Sequence, residues 1–121
     1  MTLDDIIRNA ADQPFDATEV SALCKELSMS LEEFTDAVSR IIATRYSGRQ
    51  LDFGFCDAVM NHLYAFTTKR GEEPMPPYAL SVFIAFDEGE YSHPDDPAGS
   101  LPETLYTRPM IADVLAHDAQ V

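Results

Sequence analysis

Apolar residues recur along most of the chain at the spacing of a helix face. Leu3, Ile6, Ile7 and Ala10 share one face behind Thr2, which can cap, and Asp4 and Asp5, which suit a first turn. Pro14 stops that helix. Asp16 to Glu19 has capping-box spacing, and Val20, Leu23, Cys24 and Leu27 carry a second helix to about Leu27. Ser30 to Glu33 repeats the box and opens a longer helix through Leu31, Phe34, Val38, Ile41 and Ile42, with Arg45 and Tyr46 along it, ending at Ser47-Gly48. Asp52 can cap a fourth, whose stripe is Cys56, Val59, Met60, Leu63 and Tyr64, with Phe55 and Phe66 beside it. The basic pair Lys69-Arg70 suits its C-terminus and Gly71 the residue after it.

The run "YALSVFIAF" (78–86) is almost continuously apolar, so its period is weak and a buried strand is an alternative to a buried helix. The helix is preferred. Pro76 and Pro77 suit a first helical turn, Gly89 suits a terminator, and a lone strand would lack a partner. "GEYSHPDDPAGSLP" reads as loop, and Thr107-Arg108-Pro109 starts a last helix along Met110, Ile111, Val114 and Leu115. No internal repeat or linker is visible. The expectation is all-α: a single compact domain over residues 1–121, of five or six helices, with a long acidic loop before the last.

Composition changes the picture through charge. There are 21 acidic residues against 8 Lys and Arg, a formal net of −13. Residues 71–107 hold eight of the acids (Glu72, Glu73, Asp87, Glu88, Glu90, Asp95, Asp96 and Glu103) and no Lys or Arg. A surface charged only for solubility would intersperse the signs. Such acidity opposes phosphate backbones and anionic membranes and favours basic partners. Cys24 and Cys56 lie in apolar-periodic segments and read as buried free thiols, which suits a reducing compartment. The N-terminal stretch has no basic region followed by a long apolar run, and no segment reaches the length of a membrane span, so the expected location is cytoplasmic.

Within the base-free segment, "FDEGEYSHPDDP" (86–97) gathers five carboxylates and a histidine. A calcium loop fails, because Gly89 and Tyr91 occupy its third and fifth positions counted from Asp87. Zinc fails, because His62, His93 and His117 are far apart in sequence. No metal or other cofactor is expected. "LCKELSMSLEEFTDAVSR" (23–40) resembles a helix-turn-helix, with Leu23, Leu27, Met29 and Phe34 at its packing positions. However, Glu32, Glu33 and Asp36 would face the groove and repel DNA; they read as a solvated face. Nucleophile, phosphate-loop and dinucleotide motifs are absent. Asp87 and Glu88 could act as an acid–base pair only inside a pocket with His62 or His93. His62 itself reads as a boundary histidine. The expectation is therefore not an enzyme.

What remains is protein binding. "FDEGEY" couples carboxylates to Phe86 and Tyr91; aromatics anchor interfaces and the charges around them steer a complementary partner. Phe86 could equally pin the loop to the core. "AFDEGEYSHPDD" (85–96), followed after a loop by "RPMIADVL" (108–115), resembles in architecture and composition the small acidic all-helical bacterial immunity proteins of the colicin and contact-dependent-inhibition type. That resemblance implies an inhibitor that neutralises a basic, nuclease-type toxin domain by covering its cationic surface. The contact set would be Asp87, Glu88, Glu90, Tyr91, Asp95 and Asp96. The alternatives are an adaptor or structural subunit binding through an apolar helix face, for which 78–86 is the natural segment, a helix-turn-helix-like regulator, or an enzyme built on the carboxylate loop.

Overall fold

The structure is a computed structural model and describes residues 1–69 and 74–119. Arg70, Gly71, Glu72 and Glu73 lie outside the described residues, and with them the expected stop of the fourth helix. Among the described residues, six α-helices follow one another: α1 (Leu3–Ala10), α2 (Ala17–Leu27), α3 (Leu31–Ser47), α4 (Phe53–Lys69), α5 (Pro77–Glu88) and α6 (Arg108–Ala119). They form a compact all-α domain.

The caps explain why the helices start where they do. Thr2 with Asp5, and Ser30 with Glu33, exchange side-chain and backbone hydrogen bonds in both directions. Asp16 caps in one direction only, accepting from the Glu19 amide. Asp52 accepts from the Phe55 amide at the head of α4. The α2–α3 turn places Ser28 in the left-handed region (φ 54°), where the sequence pattern wants glycine. At the end of α3, Gly48 is ordinary (φ −78°) and Arg49 takes the positive φ instead.

The segment 78–86 is a helix. Its Ala79, Val82, Ala85 and Phe86 are fully buried, while Leu80 and Phe83 are half-buried and Ile84 is exposed. It is the hub of the domain and packs on α3, α4, α6 and the turn before α6. Phe86 is core: its ring meets the Tyr46 ring edge-on at 5.0 Å and lies 5.9 Å from Phe53. Burying a side chain of that size contributes about 1.5–3 kcal/mol.

Four expectations need correction. The last helix does not begin at Thr107. A π-helical turn, Glu103–Thr107, leads into α6, and Thr107 is buried, its hydroxyl donating to the Ala85 carbonyl at 2.7 Å. Tyr64, placed on the buried stripe of α4, is 38% exposed and stacks on Phe83 with centroids 4.2 Å apart. Asp36 is not a purely solvated face. Its Oδ1 is buried without a partner, and burial raises its pKa. The helix-turn-helix packing pattern also fails at Leu27, which is 50% exposed.

The seam between the end of α5 and the π turn positions everything that follows. Gly89 is required there by close approach, since its φ of −84° is ordinary. A Cβ at Gly89 would lie 2.0 Å from Thr107 Oγ1 and 3.1 Å from the Phe53 ring. The Tyr46 hydroxyl donates to Glu103 at 2.5 Å, and Arg108 lies over the Tyr46 ring at 4.2 Å while its guanidinium reaches Glu103 at 3.5 Å. Burial first, then the bond to Glu103, hold the Tyr46 hydroxyl well above the usual phenol range.

Candidate functional site: the acidic pole

Asp87 and Glu88 fall in the last turn of α5, so the first two carboxylates of the acidic stretch are helical and not loop. The chain leaves the helix through Gly89 and Glu90, whose amides bond back to Phe86 and Asp87. From there the acidic side chains take two separate directions.

One group is tied down. Asp96 accepts from the His93 amide at 2.8 Å and from the Tyr106 hydroxyl, so the loop closes on itself and is fastened to the π turn. These bonds hold the Asp96 carboxyl below the usual carboxylate range. The same bond, seen from its donor, pushes the Tyr106 hydroxyl up to about 12. The His93 ring sits between the rings of Tyr91 (4.7 Å) and Tyr106 (4.2 Å), and its Nε2 lies 3.1 Å from Glu88 Oε2. Tyr91 projects from this stack and is 50% exposed; Asp95 is exposed beside it.

The other group is crowded. Glu90 folds back over α4, where Asn61 donates to its Oε2 at 2.8 Å. There it meets Asp57 of α4, and the two carboxyls share a hydrogen bond. Asp57 therefore holds its proton to higher pH than an ordinary carboxylate. Burial is the largest cause that pushes Asp57 up, to about 8, followed by the bond to Glu90 and the charges of Glu90 and Asp87. Its Oδ1 is buried with no partner. Asp87 is also raised, by burial, then Glu90 and Glu88. Tyr91 is raised chiefly by the charge of Glu88. Among the described residues, no Lys or Arg forms an ion pair with Asp57, Asp87 or Glu90.

The structure thus brings Asp87, Glu88, Glu90 and Tyr91 to one end of the α4–α5 pair, leaves Asp95 exposed on the loop, where its charge acts on Tyr106, and commits Asp96 to the loop's own fastening. Sequence reasoning missed Asp57 and Asn61. Their signal was present: 57, 61 and 64 lie at i, i+4 and i+7, one face of α4 adjoining its apolar stripe. Chemically, the pole offers negative charge and a carboxyl, Asp57, that holds its proton to high pH. His62 is remote from this use, with its Nδ1 2.6 Å from the Ala10 carbonyl, as a boundary histidine would be. Among the described residues, no group of three His, Cys, Asp or Glu is disposed to hold a metal ion. No described helix is long and apolar enough to cross a membrane. A groove of about 640 Å³ opens elsewhere, between α5 and α6, lined by Pro77, Tyr78, Ser81, Val114 and His117 among others. No family model, curated protein or solved structure matches the chain.

Proposed function

We propose that the protein is a binding module whose acidic pole captures a cationic surface of another protein. In its most concrete form it is an immunity- or antitoxin-like inhibitor of a basic, nuclease-type toxin domain. The observation that carries this reading is the crowding of Asp57, Asp87 and Glu90 with no Lys or Arg paired to them among the described residues. Like charges held together destabilise the free protein, and a partner's Lys or Arg relieves that cost on binding. Tyr91, half exposed beside the carboxylates, supplies an aromatic contact that loses its water there. Isolated exposed ion pairs contribute only about 0–1 kcal/mol each, so affinity requires several of them partly desolvated together.

The test is a paired affinity capture with the wild-type chain and with a variant carrying Asp87→Asn, Glu88→Gln, Glu90→Gln and Asp95→Asn, at low and moderate salt. Circular dichroism confirms the variant's fold. The expected result is a cationic protein retained by the wild type and lost by the variant. In purified form, that protein's activity is blocked by the wild-type chain. Equal retention by both chains would sink the reading.

A further inference from the structure

The acidic pole is one end of a longer face. α4 and α5 run antiparallel, because Asn61 meets Glu90 while Tyr64, one turn further along α4, meets Phe83. On α4, residues 57, 61 and 64 fall on one side of the helix; on α5, residues 80, 84 and 87 do so, with 83 at the edge toward Tyr64. The two stripes therefore adjoin. At the pole end they present Asp57, Asp87 and Glu90. One to two turns away they present the stacked rings of Tyr64 and Phe83, with Ile84 next to Phe83 in the chain. Tyr64 and Ile84 are each 38% exposed, although their neighbours on α5, Ala79, Val82, Ala85 and Phe86, are fully buried.

We propose that this α4–α5 face is the docking surface for an amphipathic, basic helix of a partner protein, its apolar side seated on Tyr64, Phe83 and Ile84 and its Lys or Arg on Asp57, Asp87 and Glu90. The inference rests on the reading of the acidic pole as a protein-binding site and names the kind of partner. Three observations select a helix. The seat is apolar and aromatic, the chemistry of an interface anchor. The charge next to it is of one sign, with no Lys or Arg paired to it among the described residues. The separation between the two ends, three to four residues along α5 and seven along α4, spans one to two helical turns, so residues i, i+4 and i+7 on one face of a partner helix reach both. An extended or irregular basic segment reaches the charges but has no continuous apolar side for the rings.

The probe is a synthetic peptide of Leu and Lys ordered to form an amphipathic helix, with a scrambled peptide of the same composition as its control. Binding is followed by fluorescence anisotropy across a salt series, and amide shifts locate the contact. The ordered peptide is expected to bind about tenfold tighter than the scrambled one, and to shift the amides of Asn61, Tyr64, Ile84 and Glu90. Ile84→Ser, and separately Tyr64→Ser, weaken it about tenfold and leave its salt dependence. Asp87→Asn with Glu90→Gln flattens the salt dependence. Equal binding of the two peptides, or indifference to the Ile84 and Tyr64 changes while the charge variant still weakens binding, overturns helix docking and leaves the acidic pole as a charge-only site. Indifference to the charge variant, or no binding at all, overturns the pole reading as well.

Discussion

Asp96, in the loop after Gly89, and Asp57, on α4 beside Glu90, serve one acidic end of the molecule in opposite condition. Asp96 is surrounded by donors: the His93 amide and the Tyr106 hydroxyl hold it below its ordinary pKa. Asp57, which Glu90 reaches, is surrounded by other acids and by apolar burial, and lies far above its own. The first carboxylate fastens the loop, and its charge is consumed by doing so. The second costs the folded state something, since burial and the acids beside it hold it protonated where the free side chain would be ionised. The comparison teaches that a high density of acids in a sequence does not by itself mark a site. What separates structure from candidate function here is which acids the fold supplies with donors and which it crowds together.

Gly89 holds the two regions in register, and changing it should produce the largest effect. Gly89→Ala drives a methyl group to 2.0 Å from the Thr107 hydroxyl, which is itself engaged with Ala85, and to 3.1 Å from Phe53. None of these neighbours is the free end of a flexible chain. Overpacking of this kind costs about 1–3 kcal/mol, and the upper end is expected because the Thr107 bond is lost with it. Urea unfolding checks this. Combining Gly89→Ala with Thr107→Ala should cost less than the sum of the two single changes, since both disturb one contact. A neutral Gly89→Ala would break the comparison, for the loop and the pole would then not share a seam.

Helix existence was legible in the sequence because caps and apolar period agreed, as at Thr2 and Ser30. The nearly continuous apolar run of α5 was decided by prolines and a glycine and not by its period. Its position as hub explains that weakness, because a helix packed on several sides has no broad polar face to set a period. The role of Thr107 was not legible. A buried Thr bonded to a carbonyl 22 residues away leaves no local trace, and a π turn has no spacing rule that would have exposed it. In the candidate site, the acids of 87–96 were visible as a run, but Asp57 was not, because it reaches the site from α4 through tertiary packing. Tyr64 was assigned to the core because aromatic residues on an apolar stripe usually go there. Only the packing of α5 shows that its ring lies on Phe83 near the surface.

A more moderate effect separates the two regions by the sign of their pH dependence. Asp57 keeps a proton in the folded protein where the unfolded chain, at an ordinary carboxylate pKa near 3.8, has lost it. The folded state then binds more protons, so stability falls as pH rises from that value toward about 8. In Asp57→Asn the side-chain amide supplies the donor to Glu90 at every pH. Thermal unfolding across this range should show a flatter slope for the variant, and a gain of about 1 kcal/mol at the alkaline end, the usual scale of charge optimisation. A variant that keeps the wild-type slope would place the proton elsewhere and remove the contrast with Asp96.

Asp96→Asn should have the smallest effect on stability and the opposite pH signature. Its folded pKa is depressed, so its contribution is present above the unfolded value of 3.8 and disappears as pH falls through the folded one. The variant should therefore match the wild type in strong acid and fall slightly below it at neutral pH, the reverse of Asp57→Asn. Because the group lies at the surface, the shift in midpoint is expected to be smaller than for either change above. The more sensitive reading is local. Asp96 accepts the His93 amide at Oδ2 and the Tyr106 hydroxyl at Oδ1, and Asn has only one acceptor oxygen, so the two bonds cannot both be kept and hydrogen exchange at His93 should quicken while the amides of α5 stay protected. If exchange quickened instead along α5 and at Glu90, the tied loop and the crowded pole would be one mechanical unit, and Asp96 would belong with the candidate site it was separated from.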